Sequence, residues 1–229
     1  MSISIIVPVR NEALLIQPFL EHLRERATGA EVIVVDGTSS DGTPERAVGL
    51  CDRLMQTTAG RAKQMNVGAS VARGEILWFL HADTSIPETA VSDIERPLQD
   101  RHVVGGFFRV RFPRHRFVYR LTDSFAHYAG LLLRIRCGDH AFFCRREVFE
   151  KIGGYPEVEL MEDVDFFRKL RRAGRIAVIT RSIIINPRRY EMIGPWRLTL
   201  AFGLIWLLYF LRLPRDVLRL AYGRFCCRS

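Results

Sequence analysis

Acidic residues all but disappear from the C-terminal part of the chain. Beyond Phe166 only Glu191 and Asp216 remain, set against a long series of arginines, and the formal net charge is +9. That imbalance points to an anionic partner, whether nucleic acid, a phosphorylated ligand or anionic lipid. The five cysteines, at 51, 137, 144, 226 and 227, include no metal-type CxxC pair, and an odd number completes no disulfide framework. Reduced thiols in a cytosolic compartment are expected. The opening MSISIIVPVRNE lacks a basic stretch ahead of its apolar run and a small-residue cleavage site, so it reads as a first strand and not a leader. No GxGxxG follows that strand and no GxxxxGK(S/T) occurs anywhere, which excludes a dinucleotide fingerprint and a P-loop. Nor does any apolar run reach the ~20 residues of a bilayer span. LTLAFGLIWLLYFL, at 198–211 between Arg197 and Arg212, stops at 14 residues. It suits an interfacial helix, a spanning or re-entrant segment, or ordinary core or dimer packing. Arg212, Arg215 and Arg219 just beyond favour the first of these.

What is present is an ordinary globular composition, 48% apolar and 26% charged over 229 residues, long enough for a sizeable core. Ile3 to Val9 is a β-branched run that ends on Arg10-Asn11-Glu12, the pattern of a buried parallel strand opening onto a loop. Leu15, Phe19, Leu20 and Leu23 then recur at helical spacing. Glu31 to Val35 reads as a second buried strand, followed by the turn-rich DGTSSDGT (36–43). Thr43 can cap a helix with Pro44 at its first position. Leu54 to Gln56, Ala62 to Ala72 and Glu75 to Leu80 continue the alternation as strand, helix and strand. Such alternation predicts a parallel sheet with helices on both faces, and in such sheets ligands sit beyond the carboxyl ends of the strands. Arg10-Asn11-Glu12, Asp36, His81 and Asp83 all fall at that edge.

The second half has a different pattern. Gly106 to Phe112 alternates with period two, predicting a half-exposed strand that pairs antiparallel. Residues 115–135 suit a helix. Arg146 to Ile152 and Asp163 to Ala173 are short helices stopped by Gly153-Gly154 and Gly174. No internal repeat or linker interrupts the chain, so 1–192 reads as one domain and 193–229 as an apolar, basic helical extension that associates with a membrane surface through 196–213.

Each candidate residue has a plainer alternative. Asp36 could simply form a turn and Asp83 could be an ordinary loop residue. Glu162 and Asp163 could serve only to cap a helix. His127 and His140 have no ligand-type partner at useful spacing and read as structural. VVDGT lacks the aspartate two residues earlier that an aspartyl-phosphate nucleophile requires, since that position is Val34. DGTSSDG fails as a calcium loop because its glycine comes one position late and no glutamate closes it.

Taken in order, SIIVPVRNE, VVDGTSSDGT, GRAKQMNVGA, LHADT and GGYPEVELMEDVDF resemble a family 2 glycosyltransferase of the GT-A fold, over about residues 3–190. The GRAKQMN and MEDVDF blocks are most similar to a small bacterial single-domain subgroup. The resemblance implies an α/β fold with a mixed sheet and helices on both faces. It also implies inverting transfer of a sugar from a nucleotide-diphosphate donor, a UDP-sugar in many such relatives, with a divalent cation, Mn²⁺ or Mg²⁺. Carried over by position, Pro8, Asn11 and Glu12 would lie against base and ribose, Asp36 would bond the base, and Arg61 and Asn66 would lie near the diphosphate. Ala82 and Arg188 would also line the donor site. Asp83 matches the last aspartate of the DxD metal motif, and Asp163 the aspartate of the ED motif, the general base, with Glu162 beside it to orient acceptor or metal. Arg188-Arg189-Tyr190 loosely resembles a basic-aromatic element of processive relatives. His81 is a departure, standing where the first DxD aspartate would be. It is either a metal ligand, better suited to Mn²⁺, or a residue that supports the site or stacks on the base.

The expectation is therefore a transferase on the cytosolic face of the plasma membrane, acting on an acceptor that could be lipid-linked, with no nucleic acid partner. Two alternatives stand beside it. One is a nucleotidyltransferase of similar fold, though the glycine-rich, basic loop it needs after the first strand is missing. The other is a non-catalytic basic binder of membrane or nucleic acid, which has no need of carboxylates gathered at one edge.

Overall fold

The computed structural model describes residues 1–112, 117–119 and 140–226; the helix expected at 115–135 lies almost wholly outside them, as do His127, Cys137 and Cys227. The elements run β1 (Ile3–Val9), α1 (Ile16–Arg26), β2 (Glu31–Asp36), α2 (Thr43–Ala47), β3 (Arg53–Gln56), α3 (Arg61–Val71), β4 (Ile76–Phe79), β5 (Thr84–Ser85), α4 (Ala90–Leu98), β6 (Val103–Arg111) and β7 (Phe143–Arg145). Then follow α5 (Arg146–Lys151), α6 (Glu162–Ala173), β8 (Arg175–Ile185), α7 (Arg188–Ile193), α8 (Pro195–Phe210) and α9 (Arg215–Cys226).

The strands form one mixed sheet in the order β3-β2-β1-β4-β7-β6-β8-β5. Its first four members are parallel, as the alternation predicts. β1, β2 and β4 are buried on both faces, which is why they read as unbroken apolar runs, while β3 at the sheet edge is only half-buried. One core face gathers Ile5, Val7, Leu20, Leu23, Val34 and Trp78 under α1, and the other gathers Ile6, Ile33, Val35, Met65 and Phe79 under α3. α1 buries Ile16 along with Phe19, Leu20 and Leu23, while Leu15 stays half-buried at its N-terminal boundary.

β6 departs from expectation. It is antiparallel to β7 but parallel to β8 over most of its length. Its first six residues are all buried, and the alternation that suggested a half-exposed strand holds only at its end, where Arg109 and Arg111 face out. Two glycines let it run centrally. A Cβ on Gly105 would come 2.4 Å from the Phe143 carbonyl oxygen, and one on Gly106 would come 2.5 Å from that of Ala177. Thr43 is likewise not a cap. It is the first helical residue of α2, Gly42 precedes it as the boundary residue, and its hydroxyl is used in a loop contact described below.

α8 and α9 pack against each other and onto the start of α6. Leu198, Ala201, Ile205 and Leu218 are buried there with Met161 and Val164. The segment 198–211 is thus divided, with one stripe in ordinary core packing. No helix among the described residues is long and apolar enough to cross a membrane. Polar contacts lock the same junction. Asp165 on α6 accepts hydrogen bonds from the Tyr209 hydroxyl and from Arg215, and Arg168 Nη1 donates to Tyr209 at 2.6 Å. The described cysteines 51 and 144 are free thiols.

Burial, then the hydrogen bond to Asp165, pushes the Tyr209 hydroxyl up to about 12. A raised folded value means the contribution is whole below the ordinary tyrosine range of about 10 and is lost as pH rises through about 12. Chemical-denaturation midpoints of the full chain should therefore fall across that alkaline interval. Tyr209→Phe should show a shallower fall; an identical one would remove Tyr209 as its cause.

Candidate active site

The site starts where two parallel strands part. β1 pairs with β4 only as far as Ile6 opposite Phe79, whereas its pairing with β2 continues to Val9 opposite Asp36. Successive strands are added on one side of β1 and then, from β4, on the other, so this is the point where strand order reverses and a crevice opens. Pro8, which has no N–H to offer a neighbour, lies beyond the last β1–β4 pair. On the other flank, buried Gln64 of α3 donates through Nε2 to the Val9 and Val35 carbonyls, each at 2.8 Å. α3 reaches that depth because Gly68 faces Ile6, where a Cβ would come 2.5 Å from a side-chain carbon.

The loops after β1 and β2 are stitched to each other. Asn11 N donates to Ser39 Oγ at 2.8 Å, and Ser40 N to Asn11 Oδ1 at 2.9 Å. Glu12 N donates to Thr43 Oγ1 at 2.9 Å, and Ala13 N to Asp41 Oδ2 at 3.0 Å. Bonds from the Thr43 hydroxyl and the Ala13 and Thr43 amides hold the Asp41 carboxyl below its usual range. Asn11 and Thr38 sit at positive φ, 54° and 62°, a conformation that this web must hold in place. Within it Asp36 is only 1% exposed. Its Oδ2 accepts from Ser39 N at 3.0 Å. Its Oδ1 is buried with no hydrogen-bond partner among the described residues, so a donor is owed to it.

At the end of β4 the chain turns through Ala82, which is buried, and Asp83, which is exposed. His81 is half-buried with its Nε2 turned inward. The Asp83 carbonyl accepts from Asn186 N at 3.0 Å, which ties this turn to the segment after β8. From that segment Arg188 Nη2 reaches Glu12 Oε2 at 2.8 Å, so two residues 176 positions apart meet across the mouth of the crevice. Its neighbours serve elsewhere. Arg189 lies 5.2 Å over the Tyr222 ring, and Tyr190 packs edge-on to Phe112 at 4.9 Å.

Glu162 and Asp163 open α6, a 12-residue helix whose first turn holds three acidic residues, at the positive end of its dipole. Met161, at φ 63°, turns the chain sharply just before them and anchors its side chain under α8. Asp163 Oδ1 accepts from Val164 N at 2.7 Å, and Arg61 Nη1 stands 3.7 Å from Glu162 Oε1. The buried Tyr155 hydroxyl sits beside this group. Burial drives its titration far above the usual range, with Cys144, Asp163 and Glu162 adding to the shift and Arg61 opposing it. Asn66, expected near the diphosphate, uses both ends of its amide on the Tyr155 backbone, at 2.9 Å each. Gln64, Asp41 and Tyr155 were not singled out in the sequence. All three sit inside the blocks GRAKQMN, DGTSSDGT and GGYPEVELMEDVDF, but nothing in their spacing shows which neighbour a side chain will choose.

No group of three or more His, Cys, Asp or Glu side chains able to hold a metal occurs among the described residues. One exposed carboxylate, Asp83, at the edge of the crevice suits a hard cation that shares its remaining positions with ligand oxygens and water.

The model of the Glycosyl transferase family 2 family matches residues 4–153. A PGL/p-HBAD biosynthesis glycosyltransferase of Mycobacterium tuberculosis is 29% identical over 204 residues, 83% of this chain and 77% of that protein. Among solved structures, the Pyrobaculum calidifontis mannosyltransferase PcManGT, in complex with GDP-Man and Mn²⁺, superposes with a TM-score of 0.66 at 22% identity over 97% of this chain and 68% of its own. Staphylococcus aureus TarS 1–349 with UDP-GlcNAc gives 0.64 at 20% identity over 87% and 65%. At these identities the structures speak to the fold. Matched proteins are longer, and the chain spans only 44% of one further curated relative.

Gln64 is the testable centre of this geometry. Gln64→Leu keeps most of the volume but withdraws both bonds, with an expected loss of about 1–3 kcal/mol in urea unfolding. A loss below the error of the measurement would remove Gln64 as the pin between β1 and β2.

Proposed function

The chain belongs to glycosyl transferase family 2, with the GT-A fold, and from that premise we propose that it transfers a sugar from a nucleotide-diphosphate donor, with inversion, to an acceptor hydroxyl. What supports this reading is that Asp36 ends β2 and Asp83 follows β4 where β1 and β4 part, while Arg188 pairs with Glu12 beyond β1 and Arg61 pairs with Glu162 beside Asp163. Asp36, with one buried oxygen unpartnered, is suited to accept the N–H of a base such as uracil, which supports a UDP-sugar. Pro8, Asn11 and Glu12 lie along the nucleoside side of the crevice. Asn66 acts on it indirectly, by fixing the turn that carries Tyr155. Ala82 sets the turn that exposes Asp83. The donor is read as a hexosyl nucleotide, and the GDP-Man and UDP-GlcNAc printed for the structural neighbours are in keeping with it.

Asp83 would hold Mn²⁺ or Mg²⁺ together with the donor's phosphate oxygens. When bound, such a cation supplies Lewis-acid stabilisation of the charge that develops on the leaving diphosphate. Arg61 and Arg188 can add charge-assisted bonds to the same oxygens. The acceptor oxygen bonds to the anomeric carbon as the carbon–phosphate oxygen bond breaks, and the electron pair departs with the nucleoside diphosphate. The acceptor's proton passes to the Asp163 carboxylate, a step worth about 10²–10⁴-fold in rate. Glu162 orients the acceptor or its hydroxyl, and His81 supports the turn from within. A cytoplasmic location, peripheral to the inner face of the plasma membrane, fits the free thiols and the arginine-rich C-terminal part. On this reading residues 1–192 carry the chemistry and 193–229 form the extension that meets the membrane.

Asp163→Asn should abolish transfer while leaving nucleotide affinity within about twofold, and unchanged turnover would withdraw the base assignment. Asp83→Ala should weaken donor binding in the presence of Mn²⁺ and leave metal-free binding unaltered in calorimetry. Equal affinity of wild type with and without the cation would contradict the metal role. Release of a nucleoside diphosphate, and not of pyrophosphate, separates the transferase from a nucleotidyltransferase.

A further inference from the structure

α8 carries two apolar stripes on opposite faces. The inner one, Leu198, Ala201 and Ile205, is buried against α6 and α9. The outer one, Trp196, Leu200, Leu204, Leu207 and, just past the helix end, Leu211, recurs at intervals of four, four, three and four residues, the spacing of a single helical face. It is open to solvent: Trp196 is 52% exposed, Leu200 70%, Leu207 55% and Leu211 62%. α9 adds Val217 at 38% and Leu220 at 71%. Scattered exposed leucines need no explanation, but an unbroken stripe along a whole helix marks a surface that something covers.

Charge indicates what covers it. Residues 193–229 hold six arginines (197, 212, 215, 219, 224 and 228) against the single acidic Asp216, a formal +5. Arg197, Arg212, Arg219 and Arg224 are exposed around the stripe. A second copy of the chain would bring two such +5 segments together, whereas an anionic lipid surface meets both the apolar stripe and its basic fringe. At 16 residues α8 is too short to cross a bilayer, so it would lie in the plane of the interface with Trp196 at headgroup level.

We propose that the outer face of the α8–α9 hairpin is a docking surface for an anionic lipid bilayer, and that docking presents the catalytic edge to an acceptor anchored in that bilayer. The second half follows from connectivity and rests on the glycosyltransferase reading above. The hairpin holds Asp165 through Tyr209 and Arg215, and Asp165 lies two residues from Asp163 on the same helix. A lipid surface under the hairpin therefore has a fixed relation to the residue assigned as base. The acceptor class so implied is a hydroxyl-bearing lipid or lipid-linked saccharide.

The test of docking needs no sugar chemistry, so its failure and that of the transferase reading are distinguishable. The full chain is sedimented with phosphatidylcholine vesicles, with and without phosphatidylglycerol. Binding to the anionic vesicles, weakened by salt, is expected. Leu200→Glu/Leu207→Glu should reduce that binding about tenfold or more, with an unchanged far-UV spectrum and unchanged nucleotide affinity. Absence of sedimentation with either vesicle would overturn the proposal, as would undiminished binding of the double variant. A dimer in analytical ultracentrifugation that the double variant abolishes, without vesicle binding, would assign the face to a second copy instead. For the acceptor half, sugar incorporation into lipid-soluble products from vesicles is expected; incorporation only into soluble saccharides would overturn it.

Discussion

Everything at the crevice edge of the sheet depends on β1 keeping one neighbour and losing the other. Parallel strands in mid-sheet normally continue side by side, and a crevice appears only if one pair separates while the flanking pair does not. Here the separation from β4 is made cheap by Pro8, which forfeits an N–H, and the attachment to β2 is secured by Gln64, which bonds carbonyls of both strands from the helix above. The buried amide has a cost in desolvation that its two short bonds offset. It also fixes a geometric limit, since Gly37 lies so near that a Cβ there would come 2.9 Å from the Gln64 side chain. The strand ends, the loop glycine and the helix face are therefore mutually determined.

A second constraint acts from outside the sheet. The N-terminus of α6 carries two nearly buried carboxylates and follows a methionine in the left-handed region, neither of which is favourable by itself. What holds them is the hairpin, through the apolar contact of Met161 and Val164 with α8 and the polar contact of Asp165 with Tyr209 and Arg215. The C-terminal extension is thus structural to the site even if it contributes no group to it. This coupling makes the extension's outer surface relevant to function, because whatever orients the hairpin also orients α6.

The parallel half of the sheet was legible because β1, β2 and β4 are buried on both faces and α1 has a clear helical period. Asp36 and Asp83 were placed at one edge by that reading, and they stand at the ends of β2 and β4; the Glu162–Asp163 pair was expected only from the resemblance. Less could be read for β6, since a strand flanked by close-packed glycines looks like a half-exposed one when only its last residues alternate. Nor could Asn66 and Gln64 be told apart: both are amides on one helix, two residues from each other, yet one bonds a distant turn and the other the strand ends. Spacing places a residue on a face of its helix. Which backbone groups await it there depends on elements remote in sequence.

The arginines of the crevice are held by carboxylates: Arg188 pairs with Glu12 and Arg61 with Glu162. Both pairs are partly solvent-exposed on the arginine side, at 43% each, which keeps them weak enough to exchange. On the proposed reading an incoming diphosphate is a stronger, bidentate acceptor for either guanidinium than a single carboxylate oxygen. Drawing Arg61 away would leave Glu162 without that counter-charge, at the helix terminus and beside Asp163. On that reading donor binding and the base would be linked through one guanidinium.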